Sequence, residues 1–316
     1  MAVKKLASLV EIKTKAASMI PFLLGTLYAY FRFDEFHTEH FLLMFFSLLC
    51  VDMATTAINN YYDYKKAKKK SGYGYETHNA IVRYQMSEWS VLVIIALLFG
   101  TATVLGVLLV LETDLVVLAL GFLSFGIGIL YSFGPIPISR LPLGEAFSGL
   151  FMGFLITFVS AYIHVVEAPL VLLTYEQAML GIQMNIVEII LVFGISIPAI
   201  CGISNIMLAN NICDREDDIE NKRYTLPVFI GNHNALILFR AIYALSYLDI
   251  ILLVYIGVHP VWLILIALTI IPLWRNVSIF VKRPSKAETF ELAVKNFLLL
   301  CGTRVIVLGL AALGLF

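Results

Sequence analysis

Residues 89–111 pass through Trp, Ser, Val, Leu, Ile, Ala, Phe, Gly and Thr without one charged side chain. As a helix rising about 1.5 Å per residue, such a stretch is long enough to cross the ~30 Å hydrocarbon core of a bilayer. In lipid every backbone N–H and C=O must be bonded inside the structure, which leaves only helices or closed barrels. A barrel would show short alternating segments, and this chain shows long continuous ones. Comparable stretches recur along the sequence, and nine spans are expected at roughly 16–32, 41–60, 89–111, 114–132, 144–164, 187–209, 235–256, 259–275 and 296–316. The eighth is short and contains Pro260 and Pro272. Composition agrees with an all-α polytopic membrane protein: 60% hydrophobic, 14% charged, mean hydropathy +0.89.

If the first loop faces outward, all but Arg32 of the 22 Lys and Arg fall on inner segments or inner helix ends, as the positive-inside rule requires. The N-terminus is then cytoplasmic and the C-terminus outside, in a cell membrane. Arg32, Asp34 and Glu35 follow the first span in place of a small-residue cleavage site, so it is read as a membrane helix. The four cysteines, Cys50, Cys201, Cys213 and Cys301, include no close pair and suggest neither zinc nor a disulfide framework. Zero formal net charge hides a basic inner surface suited to anionic lipid heads or an anionic substrate. No nucleic-acid partner is expected.

Two inner span ends repeat one polar pattern: Asn59-Asn60-Tyr61-Tyr62-Asp63 and Asn210-Asn211-Ile212-Cys213-Asp214, continued to Asp218. Helix positions four apart lie about 5–6 Å apart on one face, so Asn59 with Asp63, and Asn210 with Asp214 and Asp218, form oxygen-bearing stripes. Two facing stripes would make a Mg²⁺–diphosphate site, since Mg²⁺ takes one or two carboxylates plus phosphate oxygens and water. Carboxylates at a membrane edge are costly and read as functional. Asn59, Asp63, Asp214 and Asp218 are the expected metal ligands. Lys13 or Lys15, Lys65, Lys222 and Arg223 could neutralise phosphate oxygens. An apolar belt beneath would hold an isoprenoid tail, so a polyprenyl diphosphate uses both features. The chain is one domain, 1–316, of two related halves (about 1–140 and 141–316). Each half carries an inner loop, 61–88 or 212–234, with residues such as Tyr73, Tyr75, Ile81 and Leu226 that could pack as a cap.

These motifs, with Lys222-Arg223-Tyr224-Thr225-Leu226-Pro227 and Leu130-Tyr131-Ser132-Phe133-Gly134-Pro135, resemble the UbiA-type intramembrane prenyltransferases across nearly the whole chain. The nearest likeness is to the 1,4-dihydroxy-2-naphthoate polyprenyltransferases. The resemblance implies a nine-helix bundle around a central cavity, Mg²⁺ between the two motifs, and transfer of a polyprenyl group to an aromatic ring. For dihydroxynaphthoate the product is demethylmenaquinone, released at the hydroquinone level, with loss of diphosphate and carbon dioxide. It assigns Asp63, Asp214, Asp218 and Tyr131 to catalysis, and Ser132 with Asn210 to substrate binding. The first motif departs from the family's commonest form, with Asn60 at the second position and Ala67 at the ninth. Asn60 could still lend a carbonyl oxygen. Asp52, two turns before Asn59, is expected to face the acceptor, where an acid disfavours 4-hydroxybenzoate.

The chemistry expected is ionisation of the allylic diphosphate followed by attack of an electron-rich ring, with no protein nucleophile. Competing assignments exist for several residues. His78 could be structural, Glu145 a helix cap, Lys68–Lys70 topogenic only, and Asp249 an intramembrane acid off the motif face. The alternatives for the whole chain are another aromatic acceptor (4-hydroxybenzoate, homogentisate, haem) or a transporter. A transporter would break its spans near the midplane instead of clustering polar groups at the ends.

Overall fold

The structure is a computed structural model; it describes residues 2–66, 79–132, 137–166, 169–176 and 179–314. Ala67, Lys68–Lys70, Tyr73, Tyr75, His78 and Phe133–Pro135 fall outside these, as do the side chains of Lys66 and Ser132. The helices are α1 (Ala2–Leu9), α2 (Ala16–Phe33), α3 (Thr38–Lys66), α4 (Ala80–Arg83), α5 (Glu88–Glu112), α6 (Leu115–Ser132) and α7 (Gly144–Tyr162). After a hairpin come α8 (Ile186–Cys213), α9 (Arg215–Glu220), α10 (Leu226–Ile230), α11 (Asn232–Tyr255), α12 (Pro260–Lys282) and α13 (Glu291–Ala312). Among the described residues seven are long and apolar enough to cross a membrane: α3, α5, α7, α8, α11, α12 and α13. α6 is apolar but shorter. α12 is longer than its expected span, and α13 begins five residues earlier than its own.

The hairpin was not foreseen. Strands β1 (Val171–Glu176) and β2 (Met179–Met184) pair antiparallel between the fifth and sixth expected spans, with Val171 opposite Met184.

The chain forms two compact units. The first comprises residues 1–19 and 42–114. Its core gathers Leu9, Ala57, Ala80, Ile81 and Val91, with Tyr61, Tyr64, Tyr84 and Met86 packed around them. Asn79 caps α4 by accepting from the Ile81 and Val82 N–H groups, which would otherwise lack partners, and donates Nδ2 to the Asn60 carbonyl at 2.8 Å.

The second unit comprises residues 20–41 and 115–316 and is built on α8, which packs against α7, α11 and α13. Phe239, Tyr243, Leu273, Phe280, Phe297 and Leu300 fill its core. α7 and α8 approach so closely that a Cβ on Gly153 would lie 2.5 Å from the Ile200 nitrogen. A wide π-helical turn over Gly149–Leu155 accompanies this contact. α11 is interrupted between Leu245 and Asp249, which frees the Ser246 carbonyl. Arg304 fills the gap, bonding Ser246 O at 3.2 Å and both Asp249 oxygens at 2.9 Å. Arg304 was assigned to an inner helix end by charge alone. It stands midway along α13 instead, buried against Asp249, so this arginine carries no topological signal. Two opposite charges that meet inside the protein avoid the cost either would incur alone in lipid.

Candidate active site

In the first unit Asn59 and Asp63 lie one turn apart on α3, and both are exposed. Asn60 turns the other way and is buried. Its Nδ2 donates to Leu9 O at 3.0 Å and to Glu11 Oε1 at 3.2 Å, so its amide holds the N-terminal helix to α3. Lys65 pairs with Glu88, which also accepts from the Tyr61 hydroxyl at 2.6 Å. Lys13 is exposed on the 3₁₀ turn Ile12–Lys15, whereas Lys15 is buried. The Lys15 ammonium donates to Asp52 Oδ1 at 2.5 Å and to Thr56 Oγ1 at 2.7 Å, and Ser18 donates to Asp52 Oδ2 at 2.5 Å. Asp52 thus meets a compensating cation and a hydroxyl, which is how a carboxylate is kept in an apolar span.

In the second unit α8 stops at Cys213 and α9 starts at Arg215, but helical hydrogen bonds run through the junction. Asp214 N–H donates to Asn210 O at 3.0 Å and Asp218 N–H to Asp214 O at 2.8 Å. The spacing of the stripe therefore survives the break. Asn210 Nδ2 donates to Asp214 Oδ2 at 3.2 Å. The Lys286 ammonium, from the turn before α13, bonds both Asn210 Oδ1 and Asp214 Oδ2. Asp218 is 2% exposed and is held by the Thr225 hydroxyl at 2.9 Å, with Arg223 Nε 3.4 Å from its other oxygen. Among the described residues that Arg223 nitrogen is buried and makes no hydrogen bond of good geometry, so Asp218 is its ionic neighbour. Lys222 is exposed at a left-handed turn position, φ 54°.

Beneath this stripe Glu145 is buried against α8. Its Oε1 accepts from Asn211 Nδ2 at 2.8 Å and its backbone carbonyl from the Ser204 hydroxyl at 3.0 Å. Among the described residues its Oε2 has no hydrogen-bond partner, and neither has the buried Tyr131 hydroxyl.

Among the described residues no three His, Cys, Asp or Glu side chains form a ready-made metal cage. The donor chemistry nonetheless fits Mg²⁺. Asn210 Oδ1 and Asp214 Oδ2 already converge on one cationic nitrogen, and Mg²⁺ takes few protein carboxylates. Sequence reasoning singled out Asn210, Asp214, Asp218 and Arg223, which the structure gathers at one end of α8 and the loop beyond it. It missed Lys286, whose only sequence signal was as one more inner-side lysine, and Thr225 as a partner of Asp218.

A model of the family described as "UbiA prenyltransferase family" matches residues 18–301. The 1,4-dihydroxy-2-naphthoate octaprenyltransferase of Bacillus subtilis (strain 168) is 32% identical over 260 residues, covering 81% of this chain and 76% of that protein. Two solved structures share the fold at 16% identity. One is digeranylgeranylglyceryl phosphate synthase, with TM-score 0.63 and 99% of each chain covered. The other is a UbiA homologue from Archaeoglobus fulgidus bound to GPP and Mg²⁺, with TM-score 0.59 and 98% of this chain and 99% of that chain covered.

Proposed function

The chain belongs to the UbiA prenyltransferase family, as an integral multi-pass membrane protein, and from that premise we propose that it transfers a polyprenyl group from its diphosphate to 1,4-dihydroxy-2-naphthoate. The observation that carries the reaction class is the convergence of Asn210, Asp214 and a cation at the end of an apolar helix, with Asp218 and Arg223 just beyond. The acceptor rests on the 32% identical relative. The chain is read as nine crossings with the N-terminus and the diphosphate site on the cytoplasmic side of the cell membrane, as the distribution of Lys and Arg favours.

Asn59 and Asp63 of the first motif, and Asp214 and Asp218 of the second, are the proposed metal ligands, with Asn210 beside them. Bound Mg²⁺ supplies compensation for the negative charge that grows on the departing diphosphate. Lys222, Arg223, Lys13 and Lys65 are the proposed donors to phosphate oxygens. Thr225 fixes Asp218 so that its orientation needs no reorganisation during reaction. The Tyr131 ring can face the allylic cation, and its π-face attracts positive charge; Ser132 is a proposed substrate contact on the resemblance alone. The C1–O bond breaks with its electron pair on diphosphate, and a ring carbon of the acceptor supplies the pair for the new C–C bond. Loss of the ring carboxylate as carbon dioxide returns an electron pair to the ring, and the product forms as the hydroquinone.

The test is transfer by purified protein in detergent or lipid with a polyprenyl diphosphate and Mg²⁺, read by mass spectrometry. Product with dihydroxynaphthoate and none with 4-hydroxybenzoate is expected. Asp214→Ala and Asp218→Ala should each remove it while the protein stays folded, and chelation should do so reversibly. Product only with another aromatic acceptor would discard the naphthoate assignment.

A further inference from the structure

Lys286 reaches the second motif from a different element, the turn between α12 and α13. Its ammonium is bonded by Asn210 Oδ1 and by Asp214 Oδ2 at 2.6 Å, and it lies 5.4 Å from the centre of the Phe290 ring. The Lys286 and Asp214 side chains are 48% and 30% exposed, so the pair sits at the edge of water and can open. We propose that Lys286 is a built-in counter-cation of the second motif: its ammonium occupies the two oxygens that Mg²⁺ needs, and metal and diphosphate bind cooperatively because together they displace it. The inference rests on the metal–diphosphate reading given above.

The reasoning is electrostatic. An ammonium and a divalent cation cannot share the same two oxygens, so metal arriving alone must break a charge-assisted contact and leave a second cation nearby. A diphosphate offers the released ammonium new anionic oxygens, which lowers that cost. By linkage the gain is reciprocal: metal must favour diphosphate as much as diphosphate favours metal. The exchange is non-covalent; the ammonium changes partners and no proton or electron moves. In the unloaded protein the same contact keeps Asp214 from standing unpaired at the apolar rim.

The test is Mn²⁺ binding, as a Mg²⁺ probe, to the full-length protein in detergent, read from the electron paramagnetic resonance of free Mn²⁺ without diphosphate. K286M should bind Mn²⁺ roughly 3- to 10-fold tighter than wild type, the scale of one half-exposed charge-assisted contact. K286R should behave as wild type, and D214N should lose the site in either background. A prenyl diphosphate should narrow the gap between wild type and K286M to about twofold or less. Equal or weaker Mn²⁺ binding by a K286M protein of unchanged melting temperature would overturn the inference while leaving the prenyltransferase reading intact. Absence of Mn²⁺ binding in both proteins, even with the diphosphate present, would overturn the metal reading and the counter-cation with it.

Discussion

Asp249→Asn removes one charge from the Asp249–Arg304 pair and little volume. Both side chains are 1% exposed, and Arg304 is held by two 2.9 Å bonds to the carboxylate, with the Tyr247 ring 5.0 Å away. The variant leaves a guanidinium buried with an amide and two backbone carbonyls, Ser246 O and Leu300 O, as its acceptors. Breaking one side of a buried pair costs about 3–5 kcal/mol. An Asn oxygen still accepts one bond, which favours the lower end, about 3 kcal/mol. Against a total stability of about 5–15 kcal/mol that is a large fraction. Asp249→Leu combined with Arg304→Met removes both charges and should fall within about 2 kcal/mol of wild type, because no unpaired ion remains. Unfolding midpoints in detergent for wild type, Asp249→Leu, Arg304→Met and the double variant give the coupling directly, with Asp249→Asn measured beside them. Asp249→Asn within about 1 kcal/mol of wild type, or a double variant worse than either single, would refute the reasoning. Neither residue belongs to a motif, so Asp249→Asn protein that remains folded should retain transfer.

Gly153→Ala places a Cβ 2.5 Å from Ile200 N and 2.7 Å from its Cα, both backbone, so α7 and α8 must separate. A cost of about 1–3 kcal/mol is expected from overpacking, measurable as a lowered melting temperature. Glu145→Leu strips Asn211 of its acceptor and should cost about 1–3 kcal/mol, whereas Glu145→Gln keeps an oxygen for that bond and should stay within about 1 kcal/mol in the same melt.

The long apolar helices were legible because lipid allows no other way to satisfy the backbone, and α5 matches its expected span within a residue at each end. The β1–β2 hairpin was hidden in a segment too short for a crossing, and hydropathy alone says nothing about pairing there. The stripe at Asn210, Asp214 and Asp218 could be read from four-residue spacing, since helical bonding continues across the α8–α9 junction. Partners supplied by distant elements could not. Lys286 lies 72 positions from Asp214 and Arg304 lies 55 from Asp249, and a lysine or arginine in sequence does not reveal whether it faces lipid heads or a carboxylate. Lys15 shows the same limit: beside Lys13 in sequence, it is buried on Asp52 while Lys13 faces water.

Each motif opens with two asparagines, and adjacent helix positions are turned about 100° apart, so the two cannot serve one ligand. In both motifs the second asparagine is the buried one and gives its amide to a glutamate: Asn60 to Glu11, Asn211 to Glu145. The first asparagine is left for the cation side, as Asn210 is with Lys286. Position 60 was expected to lend a carbonyl oxygen to metal in place of the family's usual acid; its surroundings argue instead for an anchor that ties Leu9 to α3. Asn60→Asp then would not improve the metal site. It would set a carboxylate against the Leu9 carbonyl and the Glu11 carboxylate, replacing two donated bonds with repulsion, at a cost of about 3 kcal/mol. Faster backbone hydrogen exchange in residues 2–9, with Mn²⁺ affinity unchanged, is the expected result. Tighter Mn²⁺ binding by Asn60→Asp without loss of protection there would show that position 60 faces the metal after all.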